Sequence, residues 1–155
     1  MFKKNHFEDD NFEDYDFYEL RDNSSRCING DLIIDLIDKI EEFIDENNIN
    51  CYYPKNLDAI GENLEYILFT ENTIFICKLK DNYELNIKGI PKTEIISTEL
   101  NYTNSDTIIL EINLVGDNKI ILDSKKDTGN SSHSENFVEL IKKIFQDIQE
   151  IYDEN

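Results

Sequence analysis

Any chemistry in this chain would have to come from two histidines, three cysteines and a large stock of carboxylates. His133 stands among Ser131, Ser132 and Ser134, which places a base and hydroxyls side by side on paper. Adjacent residues at a helix start do not meet as nucleophile and base, and no third group is there to orient the imidazole. Ser132 and Glu135 instead have the spacing of a capping box, in which the serine oxygen takes one free N–H and the glutamate another. His6 has no such neighbours. Cys27, Cys51 and Cys77 contain no C-x-x-C pair and form no zinc spacing with the two distant histidines. Their odd number fits a reducing compartment. Asp10, Glu13, Asp14 and Asp16 are dense enough to gather divalent cations, but a calcium loop needs a glycine at its sixth position, and this stretch has none. The five glycines are scattered and make no phosphate cradle. The sequence therefore predicts no catalytic residue, no metal site and no cofactor, and the chain reads as a non-enzyme.

Charge is the recurrent feature. Asp and Glu number 34 against 15 Lys and Arg, a net of −19, which repels phosphate backbones and anionic lipid. Neither direct nucleic-acid binding nor a membrane partner is expected. Residues 1–48 hold 15 acids and five bases, net −10, and the remaining 107 residues carry −9. Within residues 1–26 the acids alternate with Phe2, Phe7, Phe12, Tyr15, Phe17 and Tyr18, the composition of a solvated leader whose rings wait for an apolar groove. Phe12, Asp14, Tyr15, Asp16, Phe17 and Tyr18, with Asp35, Asp38 and Glu42 further on, are the candidate partner-binding residues: rings anchor, and carboxylates steer a basic protein surface. A small inhibitor of the toxin-immunity or phage counter-defence type fits this pattern, with nucleic-acid mimicry as its sharper form. Against the acidity, Lys78, Lys80, Lys88 and Lys92 cluster near Asp81, Glu84 and Glu94. Edge-strand lysines discourage sheet-to-sheet aggregation, and that is the plainer reading of them.

The elements that must position these residues are legible. A chain of 155 residues builds one domain, here residues 27–155 behind a leader of residues 1–26. Ile33, Leu36, Ile37, Ile40, Phe43 and Ile44 recur at helical spacing and predict a helix over 30–48. Pro54 and Gly61 mark 49–64 as a connector with a short helical turn at Leu57 to Ile60. Runs over 66–70, 73–80, 83–90, 93–103, 107–114 and 119–123 read as antiparallel strands within 65–123. In the fifth of these, Ile108, Leu110, Ile112 and Leu114 alternate with Glu111 and Asn113, the mark of a sheet with one wet face. Phe137, Ile141, Ile144, Phe145 and Ile148 predict a final amphipathic helix over 133–153. The opening residues lack the apolar run of a secretory signal, and no apolar stretch approaches the roughly 20 residues that span a bilayer. A cytoplasmic protein is expected. One alanine, two arginines and abundant Ile, Asn, Lys and Asp are the bias of an AT-rich coding genome, that of a low-GC bacterium or its phage.

Two successive meanders of about six or seven strands followed by one amphipathic helix make an α+β order that resembles the pleckstrin-homology-like superfold. Ile90-Pro91-Lys92-Thr93-Glu94-Ile95-Ile96, the turn at Gly116-Asp117-Asn118 and Phe137-Val138-Glu139-Leu140-Ile141 look like the corresponding parts of its small bacterial members. The resemblance covers residues 64–153 and is topological. The chain departs from it in lacking tryptophan in the last helix and in adding an N-terminal helix and acidic leader. It implies a helix that plugs the open end of a bent sheet sandwich, and a lipid-headgroup site at the first hairpin, with Lys78, Lys80, Lys88 and Lys92 as its residues. A competing layout, with both helices on one sheet face, has the same element order.

Overall fold

The computed structural model describes residues 30–56, 63–80, 84–104, 106–128 and 134–153. The leader, Cys27, His6, the turn expected at Leu57 to Ile60, Asp81 and Asn82 between two of the expected strands, and Ser131, Ser132 and His133 lie outside the described residues.

Helix α1 runs from Gly30 to Ile40, and Ile33, Leu36, Ile37 and Ile40 on its apolar stripe are fully buried. It stops eight residues short of the expected end. The chain tightens there: Glu42 N–H donates to Lys39 O at 3.2 Å and Phe43 N–H to Ile40 O at 2.9 Å, both three residues back. This tighter winding turns Phe43 off the stripe, leaving it 74% exposed while Ile44 stays buried. The cause lies in Asp38, Glu41, Glu42, Asp45 and Glu46, whose carboxylates repel one another and oppose the negative end of a helix dipole. Asp45 Oδ1 then accepts from Asn47 N–H at 3.0 Å and caps a single 3₁₀ turn at Glu46–Asn48.

Seven strands follow: β1 Ile49–Lys55, β2 Leu64–Thr70, β3 Thr73–Leu79, β4 Leu85–Pro91, β5 Ile95–Asn104, β6 Thr107–Leu114 and β7 Asn118–Asp123. They form two antiparallel meanders, β1-β2-β3-β4 and β5-β6-β7. Six of the seven match the runs traced in the sequence. The seventh, β1, occupies the expected connector. Pro54 looks like a breaker, but β1 is an edge strand, where a missing N–H on the outer side removes no ladder bond. The turn between β6 and β7 takes two positive φ values, Gly116 at 81° and Asp117 at 60°, the conformation that joins right-twisted strands with least strain.

The two sheets differ in burial. In β6 the inward Ile108, Leu110, Ile112 and Leu114 alternate with half-buried residues, as expected for one wet face. In β2 the run from Tyr66 to Phe69 is buried without a break, so the first sheet is covered on both sides. On one side Tyr53 meets Phe137 edge-on at 5.2 Å; on the other Tyr52 meets Tyr66 at 6.1 Å. Helix α2, Ser134–Asp153, packs on β1 of the first sheet and β6 of the second, whereas α1 rests against β3. The C-terminal helix thus bridges the two sheets, while α1 meets the first sheet at a different strand.

Candidate functional site

The register of the first sheet lays Lys55, Glu65, Lys78 and Asn86 in one row across four strands. Strand parity puts Lys88, paired to Ile76, on the same face one step along. That face looks toward β7, and between them lies a groove of about 250 Å³ whose charged lining is Lys55, Lys78, Lys88, Lys119 and Glu65. Four bases against one acid is the reverse of the chain as a whole. Lys78 and Lys88 are exposed. Lys119 leans to Glu111 at 3.7 Å.

Lys55 is held more firmly. Its Nζ donates to Ile121 O at 3.1 Å and lies 3.6 Å from Asp127 Oδ1. Asp127 is nearly fully buried, in a turn made of the polar residues that follow β7. Its Oδ2 accepts from Tyr53 Oη–H at 2.8 Å and from Asp123 N–H at 2.8 Å. Burial with the Asp127 charge close by pushes the Tyr53 phenol well above its ordinary 10.0, so it stays protonated and donates. Nearby, Ile108 N–H donates to Ser124 Oγ at 3.0 Å, and Ser124 N–H to Ile108 O at 3.1 Å. The post-β7 turn is therefore a buried polar knot behind the groove, tying β1 to β7. Its signal was slight in the sequence: a tyrosine in β1 and an aspartate in a loop, 74 residues apart.

Burial also raises the Asp127 carboxyl above its ordinary 3.8, against the lowering effects of the Asp123 N–H, Lys55 and Tyr53. The folded chain then holds this proton to higher pH than the unfolded chain does. Stability from this group falls as pH climbs from 3.8 through the raised folded value, and is flat above it. Asp127→Asn removes the titration. The stability of the native chain relative to that variant should shrink as pH rises across this window in urea melts; a gap that widens would show that the hydrogen bonds outweigh burial.

Of the four lysines expected at the first hairpin, two line the groove. Lys80 sits beyond the end of β3, outside the lining. Lys92 is a correction: it is buried, and its Nζ meets Asp147 Oδ2 at 2.6 Å, while Asn50 Nδ2 donates to Asp147 Oδ1 at 3.1 Å. A charge at the junction of β4 and β5 faces inward and needs a partner there, so Lys92 pins that junction to α2 instead of meeting a ligand. Lys55 and Lys119 line the groove beside Lys78 and Lys88; only pairing of distant strands brings them in.

Among the partner-binding candidates, Asp35 and Asp38 are exposed on the side of α1 away from its buried stripe, Glu42 is exposed in the turn that follows the helix, and Phe43 adds an exposed ring next to it. Phe12, Asp14, Tyr15, Asp16, Phe17 and Tyr18 lie outside the described residues. Among the described residues no group of three or more His, Cys, Asp or Glu is placed to hold a metal. Burial pushes both the Cys51 and the Cys77 thiol up to about 12, far from the thiolate a nucleophile needs.

Fold and site together define a small acidic α+β module, two antiparallel meanders joined by a C-terminal helix, with a lysine-lined groove on one side and a carboxylate face on another. A family model for a protein of unknown function, DUF3908, matches residues 10–139, and the chain belongs to that family. The match takes in most of the acidic, aromatic stretch before α1. No match was found among curated proteins or among solved structures. No described helix is long and apolar enough to cross a membrane.

Proposed function

We propose that the chain is a non-enzymatic protein-interaction module that binds a basic partner through its acidic N-terminal region and α1. The observation that carries this reading is the surface of α1 and the turn after it: the aliphatic stripe of the helix is fully buried, its outer side presents Asp35 and Asp38, and the turn presents Glu41, Glu42 and an exposed Phe43. An aromatic ring rimmed by carboxylates supplies an anchor and a steering field together. That the family region begins at residue 10, within the acidic aromatic stretch, supports counting that stretch as part of the module. A cytoplasmic inhibitor of the immunity or counter-defence type is the role that fits, with nucleic-acid mimicry as its sharper form. The four-strand and three-strand meanders followed by α2 support a pleckstrin-homology-like framework for it. Affinity capture from the native host tests the reading: deleting residues 1–26, or raising salt, should each release the captured partner. Equal recovery in both arms removes it, and competition by nucleic acid for the same partner marks mimicry.

The groove favours a second reading, in which Lys55, Lys78, Lys88 and Lys119 hold an anionic headgroup. Sedimentation with anionic vesicles at low salt decides it. Native protein should pellet and Lys78→Glu/Lys88→Glu should not; if the native protein stays in solution, the headgroup reading fails.

A further inference from the structure

The two sheets leave four strand edges, and three of them are protected. Against β1 lies α2, and Asn56 N–H just beyond the strand is bonded to Asp127 O. Strand β4 carries Lys88, Gly89 and Pro91, a combination that discourages pairing. In β7 the Ile121 carbonyl is taken by Lys55 Nζ. The fourth edge, β5, is the longest strand at ten residues and contains one charge, Glu99, with no lysine and no proline. Irregularities near its two ends leave Ser97 to Tyr102 in a regular run against β6. Beyond that pairing, among the described residues, the backbone of Ile96 to Thr103 makes no bond to another element. Ile96, just before the run, and Tyr102, at its end, are 64% and 63% exposed.

Charge says what would cover this edge. Glu99 stands directly opposite Glu111, a like pair that destabilises a sheet. Glu111 has Lys119 at 3.7 Å on its β7 side. Glu99, on the free side, has no cation within ion-pair distance among the described residues. A strand added beside β5 with Lys or Arg opposite Glu99 would place a cation on each side of the Glu111–Glu99 pair, Lys119 diagonal to Glu111 and the incoming residue beside Glu99. Its neighbouring residues would turn to the other face, beside half-buried Leu100 and exposed Tyr102, and would be apolar. A second copy fits badly, because it brings another net −19 and another Glu99 to the same edge.

We infer that β5 is a docking edge for an extended segment of a protein partner that alternates apolar and basic residues, added as a fourth strand to the β5-β6-β7 sheet. This rests on the proposed reading of the chain as a binder of basic partners, and adds where and in what conformation a partner is held.

The probe is a capped heptapeptide of alternating valine and lysine, titrated into the full chain, with amide hydrogen exchange followed in the complex. Protection should rise along β5. Methylating alternate backbone amides of the peptide should abolish binding in one phase and spare it in the other, since only every second amide of an added strand faces β5. Glu99→Lys should weaken the valine–lysine peptide roughly threefold to tenfold and improve a valine–glutamate one. That variant sets opposite charges across β5 and β6, so misfolding does not explain a loss. Protection on α1 in place of β5, or indifference to both methylation phases, overturns strand addition while leaving a basic-partner module intact. No binding of the peptide to any part of the chain overturns both. A dimer in sedimentation equilibrium with β5 protected before peptide is added overturns the heterologous occupant.

Discussion

Truncating Asp147 to alanine should lower the unfolding free energy by about 3–5 kcal/mol, the range for removing one partner of a buried ion pair. The Lys92 side chain is 3% exposed, and without Asp147 its ammonium would be buried with no carboxylate within ion-pair distance among the described residues. Lys92→Met should be milder, because the Asp147 side chain is 12% exposed and keeps the Asn50 amide as a donor. Replacing both, Lys92→Met with Asp147→Leu, should restore most of the loss, since two apolar side chains of similar size need no compensation. Urea melts of the three variants check this, with the midpoint moving and the slope unchanged. Equal losses in all three would mean that packing, not charge, holds the β4–β5 junction to α2.

Phe137→Ala should be comparable, about 3–5 kcal/mol for a fully buried aromatic. Its ring stands edge-on to Tyr53, 82° between planes, an arrangement that contributes about 0.5–1.5 kcal/mol beyond burial. The effect reaches past α2: Tyr53 donates to Asp127, and Asp127 holds Lys55 at the groove. On the headgroup reading, loss of Phe137 should therefore weaken binding to anionic vesicles at low denaturant, where the chain is still folded. Phe145→Ala, on a half-buried position of the same helix, should cost less and leave the groove unaffected. Identical behaviour of the two would separate the groove from the Tyr53 contact.

Much of the architecture was legible because it rests on periodicity. Six strands, the alternation in β6 and the stripe from Phe137 to Ile148 follow from apolar residues recurring at two or at three and four, whatever they pack against. Phe43 shows the limit of that signal. It falls on the α1 stripe by spacing, yet carboxylate repulsion ends the helix before its turn, and the ring lies in solvent. Pro54 shows another: a proline read as a break belongs to a strand because β1 is at an edge, and edges are a property of the assembled sheet.

The site was less legible, for the same kind of reason. Lys78 and Lys88 are near enough in sequence to be read as a patch. Lys92, four residues further on, looked equivalent, and only the path of the chain between the sheets turned it inward to Asp147. Lys55 and Lys119 are remote from that patch in sequence, and pairing of β1 with β2 and approach of β7 bring them to it. Asp127 stands in a polar stretch, Ser124-Lys125-Lys126-Asp127-Thr128, and only the packing of the turn after β7 against Tyr53 buries it.

By itself, the sequence determined the net charge, its concentration in the first third of the chain, the antiparallel strands and the closing amphipathic helix, all set by composition and local spacing. The tertiary structure decided which charges face water, which are buried in pairs and which strand edge is left open. Burial and cross-strand neighbours are created only when segments far apart in the chain meet, and no local pattern of residues encodes them.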